Sequence, residues 1–201
     1  MANNFLNKIV RNVSADLTAP TVVYAPAVSK KTIVIELDVA NSSTAAQTIS
    51  VLIDDYSAKG AAVAMANATA VASNVITAAA AHGLIVNDRV QFSDVTGFTG
   101  STVLTTKKYF VQSVPTATTF TLATTPSATA AMTVTGTTVT ATTLYECVYA
   151  YIVREAPVPI GGALKVIAGQ KMVLEAQDSL LVTASTANSI DAIASILEDV
   201  S

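Results

Sequence analysis

The chain has 201 residues, 12% of them charged and 51% apolar, with a net charge of −3 and an isoelectric point near 5.0. That length holds one large domain or two small ones with real cores. The charged share is about half of the usual one of about 25%, and the acidic balance argues against a nucleic-acid binder, which carries a basic patch.

The opening "MANNFLNKIVRN" lacks the apolar core and cleavage site of a signal peptide. Within and after it, "NKIVRNV" and "PTVVYAP" are short strand candidates, the second bracketed by Pro20 and Pro26, which suit strand ends and edges. "KKTIVIELDVAN", residues 30–41, alternates with period two. Ile33, Ile35, Leu37 and Val39 fall on the face to be buried, with Val34, Glu36 and Asp38 on the other. After the polar turn "NSSTAAQ", "TISVLIDDY" resumes the alternation with Ile49, Val51 and Ile53 inward, which predicts an antiparallel pair. The basic pairs Lys30–Lys31 and Lys107–Lys108 read as solvated strand ends.

Residues 64–140 are rich in Ala and Thr and nearly uncharged. Strands are predicted at "VITAAA", "RVQFSDV", "KKYFVQSV", "TTFTLATT" and "MTVTGT", separated by "HGLIVND", "TGFTGSTVLTT", "PTA" and "TPSATA". "AAVAMANATAVAS" and "TTVTATT" flank them as linkers or connecting strands. Further on, "LYECVYAYIVRE", 144–155, reads as one strong strand that "APVPIGGA" breaks, and "LKVIAG", "KMVLEAQ" and "SLLVTAS" as short ones. In "SIDAIASILED", Ile190, Ile193 and Leu197 also fit a helix face, but a last strand closing a sheet suits everything before it. Strands at about 8–12-residue spacing mark an all-β sandwich or barrel. The expected fold is all-β: an antiparallel, jelly-roll-like β-sandwich made of 1–63 and 141–201, with an inserted small β-domain at 64–140.

The mean hydropathy of +0.52 raises the question of a membrane. The uncharged stretches 61–87 and 109–145 are studded with Thr, Asn, Ser, Gly or Pro, and neither supplies the run of about 20 apolar residues that a spanning helix needs. A soluble chain so short of charge covers part of its surface by assembly. The expected partner is therefore a further copy of itself, with no membrane and no nucleic acid.

Chemistry-bearing residues are sparse. The only histidine, His82, lies in "AHGLIVNDRVQFSDVTGFTG" with Asp88 and Asp94 near it. His82–Gly83 reads as a tight turn and Asn87–Asp88 as a second one ahead of Val90 and Phe92. A metal site needs a cluster of His, Cys, Asp or Glu at ligand spacing, and acid–base work needs a paired partner in a cleft; neither is visible. Cys147, the one cysteine, cannot form an intrachain disulfide and lies 65 positions from the histidine a nucleophile would need, so it reads as a small buried hydrophobe. Glu175 and Asp178 read as solvent-exposed turn charges, as do Asp54–Asp55. "PIGG", 159–162, lacks the pattern of a phosphate loop. Tyr149 and Tyr151 share one strand face and read as core, the sharper alternative being a carbohydrate or subunit contact. No catalytic, cofactor-binding or metal-binding residue is assigned, and no cofactor is expected.

"AHGLIVNDRVQFSDVTG…KKYFVQSVPTATTFTLATTP" resembles small β-modules of tailed-bacteriophage virion proteins, in which an "HGL…GD.V.F" turn and strand precede "YYV" and "ATTFTL" strands. Here Asn87–Asp88 stands where that pattern often has Gly–Asp. The two ends of the chain resemble another set of small phage structural proteins, through Arg11–Asn12–Val13, "VVYAP", "TIVIELDVANSSTAAQTISV" and "VPIGGALKVIAGQKMVLEAQDSLLVTASTANSIDAIASILED". The stretch 64–140 departs from that pattern. The resemblance implies a virion role, with assembly in the host cytoplasm.

The expected function is a structural, non-enzymatic accessory protein of the tail, neck or baseplate, a homo-oligomer of three or more copies that also meets other virion proteins. A capsid decoration (cement) protein and a host-surface glycan-binding module are the alternatives. The absence of Trp counts against the module. Its terminal segments, residues 1–12 above all, are the expected interface.

Overall fold

The computed structural model describes residues 4–64, 74–94, 98, 103–136 and 143–198. In chain order the strands are β1 (Asn4–Val10), β2 (Thr21–Tyr24), β3 (Thr32–Asn41), β4 (Gln47–Asp55), β5 (Val63–Ala64), β6 (Ile76–Thr77), β7 (Arg89–Phe92) and β8 (Lys108–Thr116). There follow β9 (Thr119–Ala123), β10 (Thr143–Glu146), β11 (Val148–Val158), β12 (Ala163–Ile167), β13 (Met172–Leu174), β14 (Ser179–Ala184) and β15 (Ile190–Glu198). The fold is all-β, in three antiparallel sheets. The chain divides into two compact units, Met1–Ala58 with Tyr149–Ser201, and Lys59–Val148.

The first unit is a sandwich. One sheet runs β1-β15-β3-β12, with β13 also on β3, and the other runs β11-β4-β14-β2. Taking β12 and β13 as one interrupted strand, the pairs β4·β11, β3·β12/β13, β2·β14 and β1·β15 are nested like successive rungs of one long hairpin. Rolling that hairpin up deals its rungs alternately to two sheets, which is the strand order of a jelly roll. Alternating residues from both sheets meet in one core: Val34, Leu37 and Val39 of β3, Ala192, Ala194 and Ile196 of β15, Ile49 and Val51 of β4, and Leu180 and Val182 of β14.

β3 departs from a simple two-residue alternation. Val34 is fully buried and Ile33 and Ile35 only half so, the reverse of the expected facing. The cause is a bulge: Ser195 pairs with Glu36 but Ile196 pairs with Val34, so Ile35 is the extra residue. One unpaired residue flips the phase of everything on its far side. The expectation holds for Leu37 and Val39, beyond the bulge, and for Ile49 and Val51 of β4. "SIDAIASILED" forms strand β15 and not a helix.

Two turns show why their residues are needed. Asn41 donates from Nδ2 to the carbonyls of Ala45 at 2.8 Å and Val158 at 3.1 Å, and its Oδ1 accepts from Ser43 N–H at 2.9 Å. It thereby ties the β3–β4 turn to the end of β11. At Gly162 a Cβ would come within 2.8 Å of Pro159 Cγ, so no side chain fits there.

The second unit is a six-stranded sheet, β5-β10-β7-β8-β9-β6. Its core comprises Ile76, Leu84, Val90, Phe92, Phe98, Tyr109, Val111, Phe120, Leu122, Val134 and Leu144. Two sequence expectations are corrected here. "LYECVYAYIVRE" is not one strand: it breaks at Cys147, β10 pairing with β5 and β7 while β11 joins β4 in the other unit. The described part of "MTVTGT", residues 132–136, is not a strand. Met132 N–H donates to Leu122 O at 2.7 Å and Val134 N–H to Asn74 Oδ1 at 3.0 Å, so the segment is held by single contacts without a ladder. The linkers at 65–73 and 137–142, and Gly97 and Gly100 in the long loop, lie outside the described residues.

Candidate functional site

The loop around His82 is built as a turn. Gly83 adopts φ +70°, which favours glycine. Asn87, at φ 76°, turns the chain a second time, and Asp88 Oδ2 caps that turn by accepting from Ile85 N–H at 2.7 Å. The His82 ring is buried edge-on against Phe120, with centroids 5.3 Å apart. Its Nδ1 accepts from Leu84 N–H at 3.0 Å, which places the ring proton on Nε2, 3.4 Å from Thr119 O. One ring nitrogen thus serves the loop's own backbone and the other faces a backbone carbonyl of β9. Asp94 lies beyond the end of β7. Among the described residues no group of three His, Cys, Asp or Glu side chains is placed to hold a metal ion.

Val90 and Phe92 are buried as their spacing predicts, but so is Arg89, with its guanidinium carbon 6.0 Å from the Phe110 ring centroid. Opposite Val90 in the ladder stands Glu146. Burial pushes its carboxyl above the ordinary value of 4.5, and the charge of Asp88 adds to the push. Ionised Glu146 therefore weakens the fold. That penalty is full above its folded pKa, shrinks as pH falls through that value, and vanishes below 4.5. Glu146→Gln should raise the thermal midpoint at pH 7 and leave it unchanged at pH 3, as calorimetry at the two pH values would show.

The acidic pairs separate. Asp178 is buried, not an exposed turn charge: its Oδ1 accepts from Tyr56 N–H at 3.0 Å and its Oδ2 from Glu175 N–H at 2.8 Å. Glu175 is the exposed member and meets Lys31 Nζ at 3.2 Å. Asp54 is buried, whereas Asp55 is held below the ordinary carboxylate range by the Ser57 hydroxyl at 2.7 Å and Ala58 N–H at 3.0 Å. Cys147 is buried. Tyr149 and Tyr151 share a face, rings edge-on at 5.6 Å, but both are half-buried and neither is core.

The surface feature that stands out in the first unit is the outer face of the β1 sheet. Register places Phe5 opposite Leu197, Leu197 opposite Ile33, and Ile33 opposite Val173. This is an apolar row across four strands, with Phe5 72% and Val173 57% exposed. Ile9 lies opposite Ile193 two rungs along, and both are exposed. Between them Ser195 Oγ donates to Asn7 Oδ1 at 3.2 Å. The two ends of the sheet differ. At β12, Lys165 Nζ lies 2.5 Å from Glu36 and 4.0 Å from Asp38, a charged rim. At β1, Phe5, Asn7 and Ile9 face outward, and the strand has no proline and no register shift. Lys8 points the other way, over the Tyr24 ring at 5.5 Å. A flat end strand with apolar neighbours is a template for pairing with another chain.

Strand order and outer face together define the class: a jelly-roll sandwich with apolar side chains exposed on one sheet face and, among the described residues, no strand paired to the outer edge of β1. Comparison of the chain with family models, with curated proteins and with solved structures finds no match.

Proposed function

We propose that the protein is a non-enzymatic structural component of a tailed-phage virion, an accessory protein of the tail, neck or baseplate that works by self-assembly. The observation that carries the reading is the outer face of the β1 sheet, with Phe5 and Ile9 on an end strand and the row through Leu197, Ile33 and Val173 beside it. The occupant is a second copy of the chain. Antiparallel pairing of two β1 strands about Asn7 sets Phe5 against Ile9 of the other copy and continues one apolar face across both. What supports the place of action is the resemblance of the two ends of the chain to phage structural proteins.

Light scattering on the eluting protein tests this. The expected mass is a small multiple of 20.6 kDa that survives dilution. Phe5→Glu combined with Ile9→Glu should return the chain to 20.6 kDa with its β-sheet spectrum intact, since buried apolar anchors contribute about 2 kcal/mol or more each to an interface. A wild-type monomer at every concentration would rule out the self-assembly reading.

A further inference from the structure

The first unit carries a second surface feature, a polar cleft of about 220 Å³ over the β4–β14 sheet. Its lining includes Ser50 and Thr183, which are register partners and buried, together with Ser185, Tyr151, Arg154 and Glu155. Pockets for drug-sized ligands start at about 300 Å³, so this one suits a smaller molecule.

The chemistry of the wall is specific. Arg154 Nε lies 3.6 Å from Glu155 Oε1, and both side chains are largely exposed. A guanidinium only donates and a carboxylate only accepts. Adjacent hydroxyl groups can use both at once, because each hydroxyl is a donor and an acceptor. The charges of the pair sum to zero, so the cleft offers no net attraction to an anion. Tyr151, edge-on to Tyr149 and half-buried, adds apolar surface beside the Arg154 guanidinium, whose carbon sits over its ring 5.5 Å from the centroid. On the floor, Ser50 Oγ accepts from Glu155 N–H at 3.0 Å, which leaves its own proton to give.

The backbone at Glu155 shapes this wall. Glu155 sits within β11 at φ 51°, a left-handed conformation that glycine or asparagine adopts more readily. Such strain gathers at ligand-holding positions.

We infer that this cleft binds one neutral sugar residue, with the Arg154–Glu155 pair taking adjacent hydroxyls and the apolar surface of Tyr151 meeting its C–H groups. The inference is independent of the assembly reading and of β1. Saturation-transfer NMR on the full chain tests it, with the methyl glycosides of glucose, galactose, rhamnose and N-acetylglucosamine as probes. Transfer to at least one probe is expected. Glu155→Gly should weaken it about tenfold or more, the effect of losing a charge-assisted hydrogen bond, while raising the unfolding midpoint because the strain is relieved. Arg154→Gln should weaken it to a similar extent. No transfer from any of the probes to the wild-type chain overturns the inference, as does equal affinity in Glu155→Gly.

Discussion

Asp178→Ala is expected to destabilise the first unit by about 3–5 kcal/mol, the cost of stranding partners of a buried charged group. The carboxylate accepts two backbone N–H groups, Tyr56 at the end of β4 and Glu175 at the start of the turn into β14. Its own N–H donates to Glu175 O at 3.2 Å, which closes that turn. Alanine leaves both donors facing a space that the protein has already dried. Asp178→Asn keeps one amide oxygen as an acceptor and should cost about half as much. Urea unfolding followed by circular dichroism measures both. An Asp178→Ala loss below about 1 kcal/mol would mean that water replaces the carboxylate freely.

Phe120→Ala is the second large effect. The ring is fully buried in the second unit, opposite Ile76 in the ladder and edge-on to His82. Deleting it removes the transfer energy of the ring and leaves a cavity, about 3–5 kcal/mol together. His82 would lose the wall that fixes its ring, so its imidazole resonances should broaden or shift in NMR. Phe120→Leu keeps most of the volume and should cost about 1.5 kcal/mol. If Phe120→Ala unfolded at the wild-type denaturant concentration, the aromatic centre of this unit would have to lie elsewhere.

Much of the architecture was legible because a strand announces itself by a local rule. β3, β4, β14 and β15 follow from alternation over a few residues, and turns from Gly, Asn and Pro between them. What local alternation misses is anything set by a distant partner. Ile35 is displaced by a mismatch in pairing with Ser195 and Ile196, which lie far along the chain. The break at Cys147 looks like continuous strand because apolar residues run on both sides of it, and only pairing shows that β10 and β11 join different sheets. Asp178 and Arg89 are buried by groups that no pattern near them announces.

The candidate surface was legible at one point only. In "NFLNKIV", Phe5 and Leu6, then Ile9 and Val10, put apolar residues on both faces of one short strand. A strand with a single buried face does not need that, so the pattern was a usable signal. The rest of the row comes from β15, β3 and β13, and the ladder alone assembles it. The cleft was half legible: the alternation that put Tyr149 and Tyr151 on one face was visible, but the strain at Glu155 and the hydroxyls of β4 and β14 beside it were not.

The nested hairpin has a consequence for how the chain is made. Ribosomes add residues at about 5–20 per second, N-terminal end first. β15 lies between β1 and β3 in its sheet, so these two strands lack their shared neighbour until the last of the described strands is synthesised. Asn4 meets Glu198 only then. Residues 59–148 need nothing later in the chain to complete their own sheet. Translation therefore delivers the two units in the reverse of the order in which their first strands emerge. During that interval the apolar flank of β1 is exposed to other nascent chains, so polysome density and chaperone supply bear on the yield of correctly closed rolls.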